Sequence, residues 1–130
     1  MADVKTILLI DDDADIHEVV KMILEPLGHQ IECALTGPSG MEAARRLHPD
    51  MILLDIMLDS PSEGFHLAYE FKKDEALKDI PIVIISSIGK TMGIDYSKDL
   101  GSDYVPASRF LDKPFDAAQL RSAVEEALGN

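Results

Sequence analysis

Four aspartates stand where a carboxylate can do more than solvate a surface. Asp11, Asp12 and Asp13 follow the apolar run Ile7–Ile10, and Asp55 closes the run that begins at Met51. Ser86 and Ser87 follow a third run, Ile82–Ile85, and Lys113 comes shortly after Arg109–Leu111. Short continuous apolar runs read as strands buried on both faces. An acid at the tip of such a strand emerges at the carboxyl edge of a sheet, where open α/β folds collect their ligands. If these runs lie side by side and parallel, carboxylates, a hydroxyl and an ammonium converge on one patch centred on Asp55.

Acids brought within a few ångströms of one another repel unless a cation neutralises them. A hard divalent ion such as Mg²⁺ suits carboxylate, carbonyl and water oxygens, and it keeps waters that a phosphate can replace. The cluster is therefore more naturally a metal seat than a general acid/base pair. A carboxylate is also a nucleophile towards phosphorus, giving an aspartyl phosphate. Phosphoryl transfer depends mainly on positioning and charge neutralisation. Lys113 suits the second neutralising charge, and Ser86 can donate to a phosphoryl oxygen. Taken singly, each residue has a bland explanation: a helix N-cap, an acid satisfied by backbone N–H groups, a surface lysine. The ordered set, each member at a strand end, favours the joint reading.

The elements that must position these groups alternate along the chain. Val4–Ile10 is the first expected strand. A helix follows, capped by Asp13, with Ile16, Val19, Val20, Ile23, Leu24 and Leu27 on its apolar face and Pro26-Leu27-Gly28 at its end. Gln30–Leu35 reads as an edge strand, and Thr36–Gly40 turns into a helix through about Leu47. That turn holds two glycines but lacks the Gly-Lys-Ser/Thr ending of a phosphate loop. His48-Pro49-Asp50 introduces the central strand. A loop after Asp55 leads to a helix from about Phe65 to Lys73, and Pro81 opens the fourth strand. A weakly patterned helix is expected around Met92–Leu100, then irregular chain, a brief strand Arg109–Leu111, and a last helix capped by Asp116 with Leu120, Val124 and Leu128 on its stripe. Five alternations imply a mostly parallel sheet covered on both faces.

Bulk properties set the outer bounds. The 130 residues suit one domain, expected to span 1–130 with its core at about 4–128, and 46% are hydrophobic. A formal net charge of −12 argues against a nucleic-acid surface, since phosphate backbones are held by clustered Lys and Arg. No apolar run approaches a membrane span and the first residues lack a leader pattern, so a cytoplasmic protein is expected. Cys33 is the only cysteine, which excludes an intramolecular disulfide. His17, His29, His48 and His66 show no ligand spacing and read as surface or packing residues. The methionines read as core filler.

With ILLIDDD (Ile7–Asp13), MILLDIML (Met51–Leu58), PIVIISS (Pro81–Ser87) and LDKPF (Leu111–Phe115) in this order, the chain resembles the receiver domain of two-component response regulators, as a stand-alone, chemotaxis-regulator-like form. The resemblance implies a flavodoxin-like, doubly wound (βα)5 fold with a five-stranded parallel sheet in order 2-1-3-4-5. It makes Asp55 the phosphoacceptor. It places Mg²⁺ on Asp12, Asp55 and the backbone carbonyl of Met57, with Asp11 acting largely through water. Ser86 matches the hydroxyl position, Lys113 the lysine, and Phe110 the aromatic switch position. Two departures stand out. The loop after Asp55 looks one residue longer, with Asp59 where relatives carry Pro and Gly64 displaced by one. Extra residues, including Pro106, lie between Gly101-Ser102-Asp103 and Lys113.

The implied function is a signalling switch that accepts a phosphoryl group on Asp55 from a sensor histidine kinase or phosphotransfer protein, changes conformation, and signals by contact with a downstream protein. No direct nucleic-acid or membrane partner is expected. No independent turnover is expected beyond self-phosphorylation from small donors and slow self-dephosphorylation. The family's rate-tuning positions are here Met57 and Ile88, whose apolar side chains offer nothing to orient a water. Two other classes fit the sequence less well. A haloacid-dehalogenase-type phosphatase needs a second aspartate where Met57 stands, and the chain lacks room for its cap domain. A phosphorylation-independent interaction module would have no use for the acidic pair, Asp55, Ser86 and Lys113 together.

Overall fold

Strands β1 (Thr6–Ile10), β2 (Gln30–Ala34), β3 (Met51–Asp55), β4 (Ile82–Ser86) and β5 (Arg109–Asp112) pair in parallel in the order 2-1-3-4-5. The computed structural model describes residues 5–55, 61–86, 109–112 and 115–128. Four α-helices alternate with the strands there: α1 (Ala14–Leu24), α2 (Gly37–Leu47), α3 (Pro61–Lys73) and α4 (Ala117–Ala127). The helix expected at Met92–Leu100 and the irregular segment at 101–108, with Pro106, lie outside the described residues.

Alternation along each strand divides the core in two. Leu8, Ile10, Ile52, Leu54, Ile82 and Ile84 face α2 and α3, where Ala44, Ala68 and Phe71 cover them. Ile7, Leu9, Met51, Leu53, Val83, Ile85 and Leu111 face α1 and α4, where Val20, Leu24, Leu120 and Val124 cover them. The continuous apolar runs therefore reflect burial on both faces, as a parallel sheet between helical layers requires. β2 lies at one edge, as its mixed sequence suggests, and the single cysteine on it, Cys33, is exposed and free.

Local chemistry sets most helix boundaries. Asp13 caps α1 by accepting from the Asp15 N–H, and Thr36 and Asp116 form capping boxes with Ser39 and Gln119. Pro26 sits in a 3₁₀ turn (Glu25–Leu27) that ends α1's run, and Gly28 closes it at φ 94°. α2 ends at His48, which takes the left-handed conformation at φ 47°. Gly40 lets α2 settle onto β1: a Cβ there would meet Ile10 Cδ1 at 2.5 Å.

Two expectations need correction. α3 begins at Pro61, four residues before the expected Phe65. Proline is at home at the first helical position, and one glycine, Gly64, costs a helix only about 1 kcal/mol, so Ser-Pro marked a helix start rather than more loop. The buried row of α1 is His17, Val20 and Leu24, while Val19 and Leu27 are 40% and 45% exposed. Ile16, Val20, Ile23 and Leu24 do pack on the core, and the buried face extends on one side to a histidine.

Candidate metal and phosphoacceptor site

Asp11 is the first residue beyond β1, and its N–H extends the ladder to the Ala34 carbonyl at 3.0 Å. Asp55 is the last residue of β3. Because β1 and β3 are adjacent and parallel, with Ile10 opposite Leu54, the two acids emerge side by side. Both are buried, at 0% and 3% relative exposure, whereas Asp12 is exposed. Carboxylate oxygens from Asp11, Asp12 and Asp55 all lie within 4.8 Å of one another. The sequence expected these three acids to converge, and the fold brings them together.

Three carboxylates this close, two of them out of water, lose hydration and repel one another. Part of that cost is met locally. One carboxylate oxygen of Asp11 accepts the Asp13 N–H at 2.9 Å. The N-terminus of α1 opens immediately beyond, so its positive dipole end faces the cluster. An all-carboxylate set of this kind also suits a hard cation. An octahedral Mg²⁺ shell is about 4.2 Å across, close to the spread of these oxygens. The donor set, all oxygen and acidic, fits that ion.

The other residues of the expected set are placed unequally. Ser86 ends β4 one position beyond Ile85, which is opposite Asp55, so its backbone stands at the same sheet edge. Ser86 also pairs in register with Asp112, the last residue of β5 and the neighbour of Lys113 in sequence. Phe110 lies in β5 opposite Ile84, two positions back from that edge. Lys113 and Met57 lie outside the described residues.

His17 is the functional-site neighbour that sequence reasoning missed. It is buried, at 5% exposure, and its Nε2 lies 2.7 Å from the backbone carbonyl of Asp11. A carbonyl only accepts, so Nε2 carries the hydrogen. The signal was present: His17, Val20 and Leu24 fall in one helical row, which places the imidazole on the face that meets the sheet.

A strand-end acidic cluster at a 2-1-3-4-5 switch point invites comparison with known proteins. The family model for the response regulator receiver domain matches residues 7–125. The chain belongs to this family. A receiver domain is a phosphorylation-dependent switch, and the chain has the corresponding flavodoxin-like fold. A DNA-binding dual master transcriptional regulator, RpaA of Synechocystis, is 34% identical over 122 residues, covering 94% of this chain and 48% of that protein. The chain spans about half the length of the curated relatives it matches. The receiver domain of NtrX from Brucella abortus has a TM-score of 0.77 at 32% identity, covering 94% of this chain and 97% of that one. The receiver domain of the sensor histidine kinase PA1611 from Pseudomonas aeruginosa, solved with magnesium coordinated in its active-site cleft, shares the fold with a TM-score of 0.80 at 22% identity, covering 98% of this chain and 100% of that one. Among the described residues, no helix is long and apolar enough to cross a membrane.

Proposed function

We propose that Asp55 is the phosphoacceptor of this receiver domain and that Asp11, Asp12 and Asp55 seat the Mg²⁺ on which transfer depends. The observation that carries the reading is the convergence of these three carboxylates at the end of two adjacent central strands. When bound, the ion neutralises the acids and the incoming phosphoryl oxygens. The backbone carbonyl of Met57 is assigned to the same seat, by family resemblance.

The donor is the phosphohistidine of a sensor kinase or phosphotransfer protein. One Asp55 oxygen forms a bond to phosphorus while the P–N bond to the donor imidazole breaks. The imidazole nitrogen leaves with that electron pair, and the phosphoryl group stays on Asp55. The seat holds Asp55 rigidly at the tip of a buried strand, which fixes the direction of attack. Lys113 provides a cationic partner for the phosphoryl oxygens, and Ser86 donates a hydrogen bond to one of them. Negative charge on Asp55 then draws Ser86 inward and repacks the surface around Phe110, shifting a two-state equilibrium that a downstream protein reads. Met57 and Ile88 leave an attacking water unoriented, so the acyl phosphate decays slowly.

The test is intact-mass spectrometry after treatment with acetyl phosphate and Mg²⁺. The wild type should gain one phosphoryl group, and Asp55→Asn or omission of the metal should abolish the gain. An unmodified wild type, or an Asp55→Asn protein that is still phosphorylated, would sink the assignment.

A further inference from the structure

We propose that His17 is a positioning residue for the acidic seat, holding the backbone of Asp11 so that its carboxylate stays beside Asp55. This rests on the Mg²⁺ reading above and concerns how the protein keeps the seat assembled before an ion arrives.

Asp11 is held by at least three hydrogen bonds. Its N–H donates to the Ala34 carbonyl on β2 at 3.0 Å. One carboxylate oxygen accepts the Asp13 N–H at 2.9 Å. Its carbonyl accepts from His17 Nε2 at 2.7 Å, across the turn from β1 into α1. The first two contacts come from a neighbouring strand and from the turn itself. The third comes from the buried row of α1, which is anchored by Val20 and Leu24 against the sheet. His17 therefore ties the position of a whole packed helix to the peptide that carries Asp11.

The ring is an unusual choice for a spot that only has to be filled. Its Nδ1 is buried with no hydrogen-bond partner among the described residues. A leucine or methionine in the 17-20-24 row would avoid that cost. What the imidazole adds is one directed N–H at the end of a stiff ring, pointed at the peptide next to the metal seat. Outer-shell groups of this kind orient ligands that otherwise spread apart under their own repulsion. Without the contact, mutual repulsion of the three acids can be relieved by rotation of the Asp11 peptide, and the seat must be reassembled when the ion binds.

The experiment is isothermal titration of the full chain with Mg²⁺ alone, with thermal melts alongside. His17→Met keeps length and apolar packing but removes the donor. His17→Gln places an amide N–H at nearly the reach of Nε2, and His17→Asn keeps an amide one bond too short. Mg²⁺ affinity should fall about tenfold in His17→Met and His17→Asn, and return to near the wild-type value in His17→Gln. Rescue by Gln and not by Asn is a pattern that mere filling of space does not produce. Wild-type affinity in both the Met and Asn variants, or no better binding by Gln than by Asn, overturns the proposal. If Met prevents folding, the Gln–Asn pair still decides. A wild type that does not bind Mg²⁺, or binds it equally after Asp12→Ala, overturns the metal-seat reading itself; intact, Asp12-dependent binding with indifferent His17 variants overturns only the role of His17.

Discussion

The two faces of the sheet are built differently. Against α2 and α3 the packing among the described residues is apolar, closed by the large ring of Phe71 and by Gly40 set directly on Ile10. Against α1 and α4 the packing is also dense, but His17 interrupts it at the end nearest the acids and donates to the Asp11 carbonyl. The lesson is a separation of tasks. One face supplies cohesion, and the other links a packed helix to the peptide that carries a carboxylate of the acidic cluster. Cohesion depends on volume and area, whereas coupling depends on one oriented hydrogen bond.

The sharpest way to break this comparison is Phe71→Ala. Phe71 is fully buried, so its loss should cost about 3–5 kcal/mol by chemical denaturation. Where that variant remains folded, its Mg²⁺ affinity should match the wild type. His17→Met should do the reverse, with a small change in stability and a clear loss of affinity. If Phe71→Ala weakens Mg²⁺ binding as much as His17→Met does, the faces are not functionally distinct. Gly40→Ala comes next in size. The added carbon meets Ile10 side-chain atoms at 2.5 and 2.8 Å, so the helix or the isoleucine must shift, at about 1–3 kcal/mol. Ile10 directly precedes Asp11, and an Mg²⁺ titration of this variant would show whether overpacking on the cohesive face reaches the seat. Unchanged affinity is expected.

The smallest effect concerns the rim of the α2/α3 face. Lys72 Nζ donates to the carbonyls of Lys78 and Ile80, at 3.3 and 3.2 Å, on the approach to β4. Burial pushes its pKa below the ordinary value, and the charge of Asp79 opposes the shift. The unfolded chain therefore binds more protons in the window between the depressed value and 10.5. Stability contributed by this site rises with pH through that window, because the penalty on the buried ammonium disappears as it deprotonates. Denaturation of the wild type and Lys72→Met across alkaline pH should show this rise in the wild type and its flattening in the variant. An identical slope in both would remove Lys72 as the cause.

Much of the fold was legible because its signals are local. Asp13 and Asp116 announce helix starts by offering a carboxylate to orphan N–H groups, and Gly28 announces an end by accepting a positive φ. The strands were legible because both-face burial leaves no polar alternation. The start of α3 was missed where two local signals competed: Pro61 opens the helix, yet a proline beside Ser62 and Gly64 also reads as loop. The face of α1 was legible in Ile16, Val20, Ile23 and Leu24, but its edge, where His17 is buried and Val19 exposed, was not. Ile16, Val19, Val20 and Ile23 make an apolar band wide enough to allow several rotations, and only packing against β1 and β3 selects the row through His17.

By itself the sequence determined which residues form strands, which acids stand at their tips and which family the order of motifs belongs to. These follow from each segment's own periodicity and end chemistry. Only the tertiary structure decided that the carboxylates of Asp11, Asp12 and Asp55 come within 4.8 Å, and that His17 turns inward to the Asp11 peptide. Those distances depend on the register of β1 against β3 and on the rotation of α1 about its axis. Both are set by how side chains from separate segments share one interior, and no single segment carries that information.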